Sequence, residues 1–271
     1  MGLRINTNIA SLNAARTLSR STAMLNRTLE RLSSGLRINR AADDAAGLAV
    51  AEGFNSVVRG TQVAQRNAQD GVSLVQTAEG ALSETTNILQ RIRELAVQSA
   101  NGTLSTANRS AMNTEVEQLL LQIDDIALDT EFNGINVLSA SQTITLQAGA
   151  QEGQTLAIAV SGAKTNDLRI SKVTISSMTG AVNAISTIDG ALQSVSTLRS
   201  TLGAFQNRLE FTINTLAIQE ENSAAAESAI RDANIATETI AFTRNQILVS
   251  AGTAVLAQAN VIPQTALTLL G

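Results

Sequence analysis

The stretch AQDGVSLVQTAEGALSETTNILQRIRELAVQS, Ala68 to Ser99, decides the fold class. Ala68, Val75, Leu82, Leu89 and Ala96 recur every seven residues, and Leu74, Ala81, Ile88 and Leu95 run beside them as a second apolar row. Two adjacent heptad rows make the broad stripe of a helix that packs along other helices. The chain's one proline is Pro263, so nothing here removes a backbone donor and the helix is free to run from Asp44 to about Ser99. At ~1.5 Å per residue it would extend roughly 80 Å, which predicts an elongated body.

Outward from this helix, Asn101 and Gly102 mark a reversal. Met112, Val116, Leu119, Ile123 and Ile126 then alternate by four and three as a shorter returning helix, ended by Asn133 and Gly134. The period changes to two at Ile144, Leu146 and Ala148 and again at Leu156, Ile158 and Val160, with Gln151 to Gly153 as the turn of a β-hairpin. A Ser/Thr-rich stretch to Gly180, holding the only lysines, Lys164 and Lys172, reads as exposed loop and edge strand. From Ala181 to about Gln219, Ile188, Val195, Leu202, Leu209 and Leu216 restore the heptad, with Leu198 and Phe205 widening it.

Both ends repeat the helical pattern. Ile5, Ile9, Leu12, Leu18, Leu25, Leu29, Leu32 and Leu36 make one stripe, interrupted at Ser33 to Gly35, and Asn39 to Asp44 supplies polar capping residues for a joint. The last helix is predicted from about Asn222 to Ile262, its seam formed by the rows Ile240, Ile247, Ala254, Val261 and Leu248, Val255, Ile262. Seven arginines face the single acid Glu30 between Met1 and Arg40, whereas Glu220, Glu221, Glu227, Asp232 and Glu238 approach the other end, so the signs favour pairing of the two.

These readings give a mainly α fold: a long antiparallel helical bundle or coiled coil with a small β-hairpin region and paired N- and C-terminal helices. Residues 1–43 and 223–271 form the paired terminal helices of an inner assembly domain. Residues 44–222 form an elongated helical domain with the hairpin at about 132–180. No charged side chain follows Arg244, and a helix uncharged on every side is normally buried on every side. The chain has too little other material to surround it, which points to burial by further copies of itself. Ser250, Gln258, Asn260 and Gln264 in the same run argue against a membrane span.

Catalysis is poorly served. The chain has no His and no Cys, so the commonest general base, the thiolate nucleophile and the usual transition-metal ligands are missing. Asp43 with Asp44, Asp124 with Asp125, and Glu220 with Glu221 are neighbours in sequence, but adjacent helical residues diverge and share no site. No catalytic, cofactor-binding or metal residue is assigned, and no cofactor. The basic start lacks Trp and Tyr for base stacking and no phosphate loop is present, which excludes nucleic acid as a partner. No apolar segment of the secretory type opens the chain, so no cleaved signal peptide is expected, and export by a route that reads an uncleaved end stays open.

The residues themselves leave open which assembly this is. MGLRINTNIA at Met1 to Ala10, LERLSSGLRINRAADDAAGLAVAE at Leu29 to Glu52, QRIRELAVQSANGT at Gln90 to Thr103, FNGINVL at Phe132 to Leu138, SAIRDANIATE at Ser228 to Glu238 and the tail NVIPQTALTLLG resemble bacterial flagellin in a minimal form without variable outer domains. The resemblance implies a structural subunit, not an enzyme, that polymerises into the extracellular flagellar filament for swimming. It further implies export through the flagellar type III channel and, as partners, the flagellar cap, the hook-filament junction proteins and an export chaperone. It extends to the flagellin-sensing Toll-like receptor of innate immunity, for which Gln90, Arg91, Leu95, Gln98 and Glu115 match the recognition motif. A hook-to-filament junction protein shares related terminal helices, and length does not separate the two; a peripheral-membrane or cytoplasmic coiled coil has only the uncharged tail and basic start in its favour.

Overall fold

A computed structural model describes residues 7–268 of the chain, with side chains over 7–261. Five helices and two small antiparallel sheets follow one another as α1 (Ile9–Ser34), α2 (Ala45–Ser99), α3 (Thr106–Asp129), β1 (Glu131–Phe132), β2 (Ile135–Asn136), β3 (Gln142–Gln147), β4 (Thr155–Val160), α4 (Met178–Arg231) and α5 (Ile235–Thr268). The chain divides into two compact units, Met1–Ser56 with Asn222–Gly271 and Val57–Glu221, so that α2 and α4 each contribute to both.

In the unit of residues 57–221, the heptad rows of α2 and α4 are where large apolar side chains are lost to solvent. Ala68, Val75, Leu82, Leu89 and Ala96 of α2 and Ile188, Val195, Leu202, Leu209 and Leu216 of α4 are all buried, joined by Val116 and Ile123 of α3. The β3–β4 hairpin pairs Gln142 with Val160 through Gln147 with Thr155. Its alternation puts Leu156, Ile158 and Val160 in the core and leaves the intervening residues outside. Gly71 of α2 sits against both the hairpin and α4: a Cβ there would collide with Leu146 and touch Leu209.

Three sequence expectations for this unit need correction. Asn133 and Gly134 do more than end a helix: with φ of 51° and 77° they form the two-residue turn of the β1–β2 ribbon, the backbone that Asn-Gly adopts at least cost. Residues 161–177 hold no strand, and although nine of the seventeen are exposed, the loop also sends side chains into the core. Ala163, Leu168, Ile170 and Ile175 are buried, and the loop is pinned by three polar anchors. Asp124 accepts from Thr165 N–H at 2.8 Å, Ser99 Oγ donates to Ile175 O at 2.6 Å, and Asn113 Oδ1 accepts from Ile175 N–H at 2.8 Å.

The third correction concerns α4, which does not stop near Gln219 but continues to Arg231. Glu220 carries no cap: it accepts from Gln62 Nε2 at 2.7 Å and Gln65 Nε2 at 3.0 Å, tying α4 to α2. The break falls instead at residues 232–234, where Asn234 Oδ1 accepts from the N–H groups of Ala236 and Thr237 and opens α5. The facing segment forms the bridge Leu36 to Asp232.

In the unit of residues 1–56 and 222–271, α1 lies antiparallel to α5. Asn8 caps α1 by accepting from Ser11 N–H at 3.1 Å and donates its Nδ2 to Ala259 O at 2.8 Å. Gly35, with φ of 73°, closes α1 at its other end. Asp44 then caps α2 by accepting from Gly47 N–H at 2.9 Å.

Candidate functional site

On the α5 side, the α1–α5 seam is not made by the two apolar rows that the heptads indicate. On α5, Glu238, Asn245, Gly252 and Ala259 recur every seven residues and face α1; Asn245 and Ala259 are buried, and a Cβ on Gly252 would stand 3.2 Å from Leu18 Cδ1. On α1 the buried residues are Ser21 and Thr28, again seven apart, with Leu18, Leu25 and Leu32 half-buried alongside. Small side chains let two helix backbones approach closely, and Thr28 is satisfied locally, its Oγ1 donating to Leu25 O at 2.9 Å. Arg31 and Glu238 close the seam at one end with a 3.3 Å ion pair.

Large apolar side chains are consequently turned outward. Ile240, Ile247 and Val255 of α5 are 64%, 62% and 59% exposed, with Leu248 and Val261 beside them, and Ile9, Leu12 and Leu29 of α1 are exposed too. Of the remaining expected assembly residues, Ile5 and the side chain of Ile262 lie outside the described residues, and Leu25 and Leu32 flank the seam. An uncovered row of this kind is what interaction surfaces present. No helix among the described residues is long and apolar enough to cross a membrane.

The five receptor-motif positions divide. Gln90, Arg91 and Gln98 of α2 and Glu115 of α3 are exposed, whereas Leu95 is 3% exposed and belongs to the core beneath them. Arg91 holds the exposed set together. Its Nη2 lies 2.9 Å from Glu115 and its Nη1 3.3 Å from Glu94, and these hydrogen bonds, that to Glu115 first, raise its pKa above the ordinary arginine value. Arg93 is raised likewise by its 2.6 Å bond to Asp189 of α4. Phe211 and Ile218 of α4, 72% and 61% exposed, were missed by the sequence reading. Both stand off the buried 188–216 row, and their seven-residue spacing was the available signal.

Comparison with known proteins fixes the family. Residues 5–143 match the bacterial flagellin N-terminal helical region and residues 185–270 the bacterial flagellin C-terminal helical region. The chain is 46% identical to a flagellin of Halalkalibacterium halodurans over 98% of its own length and 99% of that protein. It is 42% identical to the flagellin of Bacillus subtilis over 99% and 100% respectively. It is also 42% identical to a flagellar filament 31.3 kDa core protein of Treponema maltophilum over 98% and 99%. Among solved structures, a putative flagellar hook-associated protein of Vibrio parahaemolyticus shares the fold, with a TM-score of 0.59 over 70% of this chain and all of that one, at 14% identity. The outward apolar rows on paired terminal helices are therefore those of a chain that belongs to the bacterial flagellin family, structural subunits of the extracellular flagellar filament and not enzymes.

Proposed function

We propose that this flagellin polymerises through the apolar rows that its monomer leaves uncovered, with Ile240, Ile247, Leu248, Val255 and Val261 of α5 and Ile9, Leu12 and Leu29 of α1 covered by neighbouring copies. The observation that carries this is the exposure of a second set of large aliphatic side chains: small and polar residues with half-buried leucines complete the seam, while Ile240, Ile247, Leu248 and Val255 face solvent. Burying one such aliphatic side chain contributes about 1.5–3 kcal/mol, and a row of them on each copy supplies a driving force that the α1–α5 pair alone does not use. Residues 1–43 and 223–271 then form the inner layer of the filament and residues 44–222 its surface. The test is seeded elongation of the purified chain after deletion of Asn245 to Gly271. Loss of elongation with the 57–221 unit still folded is expected, and undiminished elongation would refute the reading.

Export through the flagellar type III channel, and the cap, the hook-filament junction proteins and an export chaperone as partners, complete the reading on the strength of the family. Secretion without a cleaved signal peptide belongs with it. A second activity, recognition by the flagellin-sensing Toll-like receptor, is supported by the exposure of Gln90, Arg91, Gln98 and Glu115 on one face of α2 and α3. Leu95 supports that face from beneath. A reporter-cell assay on Arg91→Ala monomer checks this, with reduced signalling expected and signalling equal to the parent contradicting it.

A further inference from the structure

The paired-helix unit is electrically two-ended. Residues 7–29 and 239–268 contain Arg16, Arg20, Arg27 and Arg244 and no carboxylate. Residues 30–56 and 222–238, at the joint end of the same unit, contain seven carboxylates against four arginines. The four arginines of the first part are exposed and make no ion pair among the described residues, in contrast to Arg31, Arg40 and Arg231 of the joint end, which all do. Arg16, Arg20 and Arg27 are spaced by four and seven, so they line one face of α1, away from the seam residues Ser21 and Thr28.

We propose that this arginine face docks on the acidic joint end of a second copy of the chain, a head-to-tail contact that sets the direction in which subunits add. The inference rests on the polymerisation reading above and deepens it. Charge complementarity is its ground. A surface with four cations and no anion finds no partner on itself, and the joint end, with Asp43 and Asp44 exposed and Glu52 half outside, is the acidic part of the same unit. A contact between two different patches is heterologous, and repeated without closure it generates a helical filament and not a ring or a two-fold dimer. Apolar rows alone carry no polarity; opposite charges at opposite ends exclude the reversed arrangement, where like charges would meet.

The test uses the scarcity of lysine. Lys164 and Lys172 are the only lysines, so Arg20→Lys/Arg27→Lys places new amines on the arginine face without removing charge. Filaments grown from a mixture of isotopically heavy and light chains are treated with a carbodiimide, which condenses an amine and a touching carboxylate into an amide with loss of water, and linked peptides are read by mass spectrometry. Heavy-to-light links from position 20 or 27 to carboxylates of residues 30–56 or 222–238 are expected. Links only to carboxylates of residues 57–221, only within one chain, or none, would overturn the proposal. In parallel, Arg16→Gln/Arg20→Gln/Arg27→Gln should elongate about tenfold more slowly than the parent, and an unchanged rate counts against the contact. Failure of the parent itself to elongate would instead refute polymerisation through these helices, so the two failures are distinguishable.

Discussion

At the scale of single residues, burial decides what each position can be asked to do. Leu95 matches a recognition motif by its place in the sequence but is a core residue, so Leu95→Ala should destabilise the 57–221 unit by about 2–5 kcal/mol. Arg91→Ala, in an exposed and solvent-screened ion pair, should leave stability nearly unchanged. Denaturant titration of the two variants separates a folding effect from loss of a contact surface. Asp43 offers a pH readout. Its carboxylate accepts from the backbone N–H of Arg40 at 3.1 Å, and also of Asn39, which lowers its pKa below the ordinary aspartate value. A lowered folded-state pKa stabilises above the ordinary value, about 3.9, and that contribution is lost as pH falls through the folded value. Thermal unfolding should therefore separate Asp43→Ala from the parent at neutral pH, and the two curves should converge in acid.

At the scale of elements, the long helices and the pairing of the two ends were legible, and the face on which α5 pairs was not. The rows of α2 and α4 announced themselves because their buried side chains are Leu, Ile and Val, which any hydrophobic periodicity detects. In α5 the same rule picked the wrong face. Its seam residues Asn245, Gly252 and Ala259 are small, and hydrophobicity ranks Ile240 and Ile247 above them although these point to solvent. Closeness of approach at Gly252 and Ala259 sets the centre of the α1–α5 contact, and half-buried leucines of α1 flank it. Replacing Gly252 by Leu should then force the helices apart and weaken their pairing, seen as faster amide exchange in α1 and α5 with the 57–221 unit unaffected; unchanged exchange would contradict the seam. The misplaced break between α4 and α5 has a similar origin. Glu220, Glu221 and Asn222 look like a helix boundary in sequence, but Glu220 is held by two glutamines of a helix more than a hundred residues away, a contact no local pattern reveals. The buried part of the 161–177 loop was hidden for the same reason, since its anchors on Ser99, Asn113 and Asp124 are distant in the chain.

At the scale of the whole molecule, the two units divide the work. The 57–221 unit satisfies its heptads internally, its hairpin seated where Gly71 admits Leu146, and Gly71→Ala should cost about 1–3 kcal/mol by overpacking. The unit of residues 1–56 and 222–271 closes its seam with small residues flanked by Leu18, Leu25 and Leu32 and leaves the exposed aliphatic row of α5 for other copies. That allocation is the central claim, and seeded elongation watched by electron microscopy, with the parent beside Ile240→Asp/Ile247→Asp, tests it most directly. The account predicts long helical fibres from the parent and none from the variant, with the same helical content in both monomers. Fibres grown equally well by the variant would contradict it.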